Sequence, residues 1–225
     1  MNILIICGEA SANKYGAHLA QTLQQNGHHV FSLGDDHLAS VTQQLLPIDS
    51  IQHSVNIGSW KKKQQLAQKI KQTLTEIDLS FDRAVLVDFP GYNFKIARIL
   101  QSLNIPISTF ITPNFWLWKQ QSLAKKLLSY SDHVITIFQK EFDFFSAIDS
   151  TKTSYFGHPL LLEPLDDQAY DSSVNRIGLF PGSRRTEIND HLPIMLRIIS
   201  LLPSDFSVDI ICENQRLHPL ISEHM

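Results

Sequence analysis

The sequence predicts an α/β protein in which a parallel β-sheet carries helices on both faces. Short apolar runs rich in Val, Ile and Phe alternate along the chain with segments of helical periodicity. The apolar runs are continuous, which is typical of strands that are buried on both faces of a parallel sheet. Turn residues bound the runs, and no internal repeat is evident. Together these observations indicate a Rossmann-like arrangement.

The predicted elements follow one another in a regular order. Six apolar runs are predicted strands: Ile3–Cys7, Val30–Leu33, Ala84–Val87, Ile107–Ile111, His133–Ile137 and Thr153–Phe156. Apolar stripes at helical spacing predict three helices between them: Gly16–Leu23, Leu66–Ile77 and Leu123–Leu128. Gly27, just beyond the first of these stripes, suits a helix C-cap.

An acidic segment breaks this rhythm and is predicted to be a linker. Leu160–Ser173 contains four acidic residues, no basic residue and an internal proline. Two further strands are predicted at Ile177–Phe180 and Val208–Cys212, with a helix between them that runs to Leu202. About 50 residues are too few to close a second domain of this kind. We therefore expect an N-terminal domain over 1–160, a linker over 161–173 and an incomplete second Rossmann-like unit over 174–225.

Composition and charge exclude several classes of protein. The 225 residues are 43% hydrophobic and 18% charged, which is enough for a buried core and excludes wholesale disorder. The net charge of −3 gives no basic footprint for nucleic acid. Cys7 and Cys212 lie in separate apolar runs, a pattern that predicts buried thiols in a reducing compartment. None of the ten histidines has metal-ligand spacing, so no metal is expected.

Nothing in the sequence has the length of a membrane span or the form of a signal peptide. The apolar runs fall well short of the roughly 18 residues that a span needs. Ile3–Cys7 is too short for the core of a signal peptide and runs directly into Gly8 and Glu9. We therefore expect a soluble cytoplasmic protein, and attachment to a membrane surface stays open.

Polar residues at the carboxyl ends of the predicted strands are the first candidates for a site, because ligands bind there in parallel sheets. After the first strand, Gly8 permits a tight turn, Glu9 lies beside the cleft and Ser11 can cap the next helix. An ordinary strand-to-helix turn is the alternative. The G-x-G-x-x-G fingerprint of dinucleotide binding is absent, which argues against an NAD enzyme.

Asp88 closes the third predicted strand and is followed by a proline turn. A carboxylate at the mouth of a cleft can act as a general base if partial burial raises its pKa towards neutrality. The alternative is that Asp88 caps a neighbouring helix.

An aromatic and basic segment follows the fourth predicted strand. Phe115, Trp116 and Trp118 precede Lys125 and Lys126, a combination that suits a membrane interface or the acyl chains of a lipid. The alternative is core packing, which we expect for at least one of the two tryptophans.

Two more candidates lie near the predicted linker. His158 comes just after the strand Thr153–Phe156, where it can reach a ligand in a cleft between domains. Gly182, Ser183 and Arg184 form a turn between a strand and a helix, which suits a phosphate or diphosphate. For Thr186 and Glu187, the alternative is that they are only helix-start residues.

In order along the chain, five segments resemble the lipid-A-disaccharide synthases, which are glycosyltransferases of the GT-B fold. The segments are GEASANKYGAHLAQTL, VLVDFPGYNFKIARIL, ITPNFWLWK, YFGHPLL and IGLFPGSRRTEI. The family patterns are G-E-x-S-G-D, I-D-x-P-x-F-N, S-P-x-x-W-A-W-R, G-H-P and L-P-G-S-R-x-x-E. The chain would then be the N-terminal half of a GT-B fold with the start of the second half.

The resemblance implies a transfer between two lipid-linked sugars. UDP-2,3-diacylglucosamine would donate its sugar to 2,3-diacylglucosamine 1-phosphate (lipid X) at the inner-membrane surface, with inversion and without a cofactor. No nucleic acid partner is expected, and a homo-oligomer stays open. The resemblance implies that Asp88 is the general base, with Glu9 as the second candidate. It places Ser11, Asn93 and His158 in the cleft, and Gly182, Ser183 and Arg184 near the diphosphate. The residues implied to face acyl chains or the membrane are Phe115, Trp116 and Trp118.

Several departures from the family pattern weigh against catalysis. Ala12 and Asn13 replace a glycine and an aspartate, Gly91 replaces a second aspartate, and Lys119 replaces an arginine. Lys cannot reproduce the bidentate phosphate contact of Arg. The later S-G-T-x-x-L-E segment of the family is not in these 225 residues, so we expect the chain alone to be inactive. The alternative is a truncated, non-catalytic homologue that binds lipid or acceptor.

Overall fold

The structure, a computed structural model, describes residues 1–8, 10–47, 60–88, 92–162, 175–182, 184–203, 206–212 and 217–224. The chain divides into two compact units, Met1–Pro164 and Leu165–Met225. From residue 163 onwards, the predicted linker lies outside the described residues.

The first unit is built on a seven-stranded sheet with all neighbouring strands parallel. Its strands are β1 (Asn2–Cys7), β2 (His29–Gly34), β3 (Gln43–Pro47), β4 (Arg83–Val87), β5 (Ile107–Phe110), β6 (His133–Thr136) and β7 (Thr153–Tyr155). Their order across the sheet is β3-β2-β1-β4-β5-β6-β7. The predicted α/β, Rossmann-like class is therefore confirmed.

Helices lie between these strands along the chain. They are α1 (Ala10–Gln25), α2 (Asp36–Ala39), α3 (Trp60–Glu76), α4 (Asn93–Ser102), α5 (Gln121–Tyr130) and α6 (Gln139–Ser146), followed by a 3₁₀ turn (Pro159–Leu162). Gly27 follows α1 with φ +79°, as expected of the residue after a helix C-terminus.

Both faces of the sheet are covered, which explains why its strands read as continuous apolar runs. On β1, Leu4 and Ile6 pack into one core cluster together with Ile70 of α3 and Ile96 of α4. The alternate residues of the same strand pack into a second cluster, which includes Ala17 of α1. Because successive side chains of a strand point to opposite faces, each cluster takes every second residue.

The sequence patterns missed four elements of the first unit. The strand β3 reads QQLLP and lies at the edge of the sheet, where only Leu46 is buried. An edge strand with one buried residue leaves no continuous apolar run to recognise. The helices α2, α4 and α6 have 4, 10 and 8 residues, so each gives a short stripe or none. With β3 included, Asp88 follows the fourth strand of the sheet.

Within its described residues, the second unit contains two parallel strands and two helices. These are β8 (Arg176–Leu179), β9 (Ser207–Ile210), α7 (Arg185–Ile199) and α8 (His218–His224). The two strands lie within two residues of their predicted bounds, whereas α7 ends at Ile199 and not at Leu202. A small core joins the helices through Ile188, Leu192, Leu220 and Ile221.

Candidate active site

A cavity of about 230 Å³ lies at the carboxyl ends of the strands of the first unit. Four of the predicted site residues line it: Ser11, Asp88, Trp116 and His158. The remaining lining residues were not predicted for the site: Tyr15, Ile111, Thr112, Asn114, Ile137, Phe138 and Glu141. This is the edge of a parallel sheet at which ligands bind.

Asp88 directly follows β4 and is half-buried at the wall of the cavity. Its backbone N–H donates to the carbonyl oxygens of Phe110 and Ile111, both at 3.3 Å, which joins the end of β4 to the end of β5. The N-cap of the helix that follows is Tyr92. Asp88 is therefore not the N-cap residue of α4, and it stands at the end of a strand beside the cavity.

Two residues of the cavity wall have backbone conformations that are unusual for L-amino acids. Asp88 has φ +25° and Ile111 has φ +61°. A positive φ is especially unfavourable for a β-branched residue such as Ile111. Each residue held in such a conformation costs on the order of 1–3 kcal/mol of folding free energy. They persist only where the surrounding structure holds them, and they occur often at functional sites.

Glu141 stabilises the backbone of the cavity wall at the end of β5. Its carboxylate is buried and accepts four hydrogen bonds. Oε1 accepts from the backbone N–H of Thr112 at 3.1 Å and from its hydroxyl at 2.5 Å. Oε2 accepts from the backbone N–H groups of Ile137 at 2.8 Å and Phe138 at 3.2 Å. The loops after β5 and β6 are thereby tied to one anion, whose lone pairs are already committed.

The sequence held a signal for Glu141 that was not used. Glu141 stands three residues after Phe138, the N-cap of α6, and a glutamate at this spacing often accepts from the backbone at the start of a helix. The signal was missed because α6 itself was not predicted.

Four rings form a series along the cavity, and we call this set the aromatic wall: Tyr15, His158, Phe138 and Trp116. The ring of His158 lies 5.8 Å from Tyr15 edge-to-face and 5.4 Å from Phe138, measured between centroids. Phe138 in turn lies 6.0 Å from Trp116. The Nδ1 atom of His158 accepts from the backbone N–H of Leu160 at 3.2 Å.

The three residues predicted to face lipid have three different environments. Phe115 stacks on Phe94 at 6.0 Å with an angle of 4° between the planes, and it packs against a core cluster. Trp116 is half-buried in the wall of the cavity, and Trp118 is 71% exposed. The expectation that at least one of these tryptophans is a buried core residue is therefore wrong. The core position next to them belongs to Phe115.

The remaining predicted cleft residues are placed only in part. Ser11 lies inside the first turn of α1, which begins at Ala10, so the predicted capping role is wrong although Ser11 lines the cavity. Asn93 is the first residue of α4, and its side chain lies outside the described residues, as does Glu9. Asn13 is buried, and its Oδ1 accepts from the backbone N–H of Asp35 at 3.0 Å. The side-chain amide of Asn13 thus makes a structural contact that does not need the negative charge of an aspartate.

Cys7 lies at the end of β1 and is buried. Burial raises the pKa of its thiol well above the usual value, and the negative charges of Asp35 and Asp88 raise this pKa further. Cys212 is half-buried, so the prediction of two buried thiols is right only for Cys7.

We expect one thiol of the native protein to react rapidly with a disulfide reagent at about pH 8, and the other only after denaturation. Cys7 is shielded and stays protonated through this pH, whereas Cys212 is partly accessible. Absorbance of the released thiolate measures both phases. Cys212→Ser should remove the rapid phase and Cys7→Ser should leave it; the opposite result would contradict this account.

In the second unit, the predicted phosphate turn leads into α7. Gly182 has φ +121°, and Arg184 is the N-cap of the helix. A guanidinium nitrogen of Arg184 lies 2.7 Å from Oε1 of Glu187, and its backbone N–H donates to Oε2 of Glu187 at 3.1 Å. The interpretation of Glu187 as a helix-start residue is confirmed by this contact. Ser183 lies outside the described residues.

Gly182→Ala is expected to destabilise the second unit by about 1–3 kcal/mol, because a side chain at positive φ is strained. An added Cβ would also lie 2.6 Å from the Cβ of Glu187 and disturb the start of α7. Gly27→Ala is the matched control, since Gly27 also has a positive φ but no neighbour within 4 Å of an added Cβ. Urea unfolding measures the free energy of unfolding of both variants. If both variants lose the same amount of stability, the contact of the added Cβ with Glu187 is unimportant.

The described part of the chain has neither a metal-binding cluster nor a membrane-spanning helix. There, no group of three or more His, Cys, Asp or Glu side chains could hold a metal ion. No helix within the same ranges has the length and apolar character to cross a membrane.

Sequence comparisons agree on one family of proteins. The profile of the lipid-A-disaccharide synthetase family matches residues 3–214. A lipid-A-disaccharide synthase of Trichlorobacter lovleyi is 30% identical over 216 residues, covering 89% of this chain and 55% of its own length. The same enzyme of Coxiella burnetii is 27% identical, with coverages of 89% and 56%. The chain thus spans about half the length of the curated relatives it matches.

Solved structures of low identity share the fold. A UDP-GlcNAc 2-epimerase of Neisseria meningitidis, solved with UDP-GlcNAc bound, has a TM-score of 0.66 at 16% identity. The match covers all of this chain and 70% of that one. The MurG protein of Acinetobacter baumannii has a TM-score of 0.51 at 13% identity, with coverages of 99% and 61%.

Proposed function

Because the chain belongs to the lipid-A-disaccharide synthetase family, we propose that it forms the acceptor-side part of a lipid A disaccharide synthase. The observation that carries this proposal is the cavity of the first unit. It brings the carboxylate of Asp88 together with hydroxyl, amide and imidazole groups at the carboxyl edge of the sheet.

The proposed reaction joins two sugars. A 2,3-diacylglucosamine is transferred from its UDP derivative to the hydroxyl of 2,3-diacylglucosamine 1-phosphate, which gives a β-1,6-linked disaccharide 1-phosphate and UDP. The acceptor oxygen bonds to the anomeric carbon of the donor while the bond from that carbon to the UDP oxygen breaks. One displacement of this kind inverts the anomeric centre.

In this proposal Asp88 takes the proton of the acceptor hydroxyl. A base must reach the reacting oxygen directly or through one water, and Asp88 stands at the wall of the cavity. Glu141 lines the same cavity, but both of its carboxylate oxygens are already occupied by four hydrogen bonds from the loops after β5 and β6. Glu9 remains the second candidate by family resemblance.

The other predicted site residues take binding roles in the proposal. Ser11, Asn93 and His158 bind the polar groups of the substrates in the cleft. Gly182, Ser183 and Arg184 bind the diphosphate of UDP through backbone N–H groups, a guanidinium and the start of α7, which is a favourable place for an anion. No cofactor takes part.

The acyl chains and the membrane contact the segment that follows β5. Leu117 is 54% exposed and Trp118 is 71% exposed, next to Trp116 in the cavity wall. Lys119, Lys125 and Lys126 are exposed nearby and can attract anionic headgroups. This supports a protein that attaches peripherally to the cytoplasmic face of the inner membrane. Phe115 contributes by packing beneath this segment.

The non-catalytic alternative is not favoured. The curated relatives named above carry the name of the synthase, and Asn13, one of the departures that suggested lost catalysis, has a structural contact with Asp35.

Mass spectrometry of the products tests the proposal. The protein is incubated with UDP-2,3-diacylglucosamine and 2,3-diacylglucosamine 1-phosphate, alone and together with the C-terminal half of the Trichlorobacter lovleyi synthase. A disaccharide 1-phosphate that requires both substrates and this chain supports the proposal. Donor hydrolysis without disaccharide, or no product in either mixture, contradicts it.

A further inference from the structure

Two members of the aromatic wall, Tyr15 and Phe138, have no role yet in the proposed reaction. Phe138 lies at the centre of this wall, since its ring contacts both Trp116 and His158. The Phe138 side chain is 47% exposed, so its ring is available to a ligand. Its backbone N–H donates to Oε2 of Glu141 at 3.2 Å, which fixes the backbone from which the ring projects at the start of α6.

The cavity also carries polar groups, which makes it amphipathic. Ser11, Asp88, Thr112 and Asn114 line it together with the four rings. A pyranose ring has a matching character, with C–H groups on its faces and hydroxyl groups around its rim. The negative face of an aromatic ring attracts C–H groups, while a few polar side chains fix the orientation of a ligand.

Charge distinguishes the acceptor sugar from the nucleotide. Among the described residues that line the cavity there is no Lys or Arg, whereas Asp88 and Glu141 contribute carboxylates. A diphosphate requires cationic or backbone N–H partners and is repelled by carboxylates. The cavity therefore suits an uncharged sugar ring better than the diphosphate of UDP.

We propose that the aromatic wall is the platform on which the sugar ring of the acceptor stacks, with Phe138 as the residue that determines this specificity. The inference rests on the proposed function and names the part of the substrate that enters the cavity. The reacting hydroxyl enters first, towards Asp88. The 1-phosphate and the acyl chains, which other carbons of the sugar carry, stay outside the cavity. The acyl chains lie beside the exposed Leu117 and Trp118.

Saturation-transfer NMR on the chain as it stands tests this proposal without turnover. The probe is N-acetylglucosamine 1-phosphate, which has the sugar ring and phosphate but no long acyl chains. We expect saturation of its ring C–H protons, and a dissociation constant that rises about threefold to tenfold in Phe138→Ala and Phe138→Leu. Phe156→Ala is the matched control, because Phe156 is 80% exposed and does not line the cavity.

The outcomes separate this inference from the proposed function. It is overturned if the probe does not bind, if the Phe138 variants bind it as tightly as the wild type, or if UDP displaces it from the cavity. Circular dichroism of each variant verifies that the fold is retained. Formation of disaccharide is measured separately. If the protein forms disaccharide but its Phe138 variants bind the probe as the wild type does, the proposed stacking platform is wrong and the proposed function is still supported.

Discussion

Asp88→Asn should reduce the rate of disaccharide formation by about 10²–10⁴-fold, the usual contribution of a general base. Asparagine has nearly the same shape as aspartate and keeps a hydrogen-bonding oxygen, but it cannot accept the proton of the acceptor hydroxyl. The backbone N–H of Asp88, which donates to Phe110 and Ile111, is unaffected by the change. Acceptor binding should therefore change little while kcat falls.

The measurement is kcat and KM in the form of the protein that turns over. The variant should keep a KM close to that of the wild type, whereas its kcat should fall. Ser11→Ala is a useful comparison, because it alters another residue of the cavity wall without removing a carboxylate. Full activity of Asp88→Asn would refute the base assignment and favour Glu9.

Glu141→Ala should destabilise the first unit by roughly 4 kcal/mol. The change leaves three backbone N–H groups without this acceptor, and an unsatisfied buried donor costs about 1–3 kcal/mol. The hydroxyl of Thr112 loses its contact with Glu141 and keeps the one with the carbonyl oxygen of Pro113 at 3.2 Å. Glu141→Gln should also be destabilising, because its amide N–H₂ would face donors on one side. Urea unfolding measures the loss of stability, and thermal unfolding should show a fall in Tm of roughly 10 °C.

Asp143→Ala is the control for this experiment. Asp143 lies on the same helix and is exposed, and among the contacts described its carboxylate accepts only from the side chain of Gln139. A surface change of this kind stays within about 0.5 kcal/mol. If Glu141→Ala is no less stable than Asp143→Ala, the two loops are held by other contacts and Glu141 is not their anchor.

The parallel sheet could be predicted from sequence because burial on both faces makes each inner strand continuously apolar. Leu4, Ile5 and Ile6 of β1 are all fully buried, and they serve two different core clusters. The edge strand β3 lacks that signal, since one of its faces has little to pack against. The end of β5 was also predicted one residue too late, because Ile111 is apolar but has a left-handed backbone.

The candidate site could be predicted only where the chemistry is local. Asp88 and His158 were found because each stands at the end of a predicted strand. Tyr15, Phe138 and Glu141 were missed because their place in the cavity depends on the sheet bringing distant loops together. Glu141 lies 29 positions from Thr112 along the chain, and no periodic pattern relates the two.

Photo-crosslinking tests most directly the central claim that the acceptor occupies the cavity of the first unit. The probe is a 2,3-diacylglucosamine 1-phosphate with a diazirine on its sugar ring, and the labelled peptides are identified by mass spectrometry. The account predicts labels on the peptides that contain Trp116 or Phe138, and competition by unmodified acceptor but not by UDP. Labelling confined to the peptide that contains Gly182 and Arg184, or a label that UDP displaces, would contradict it.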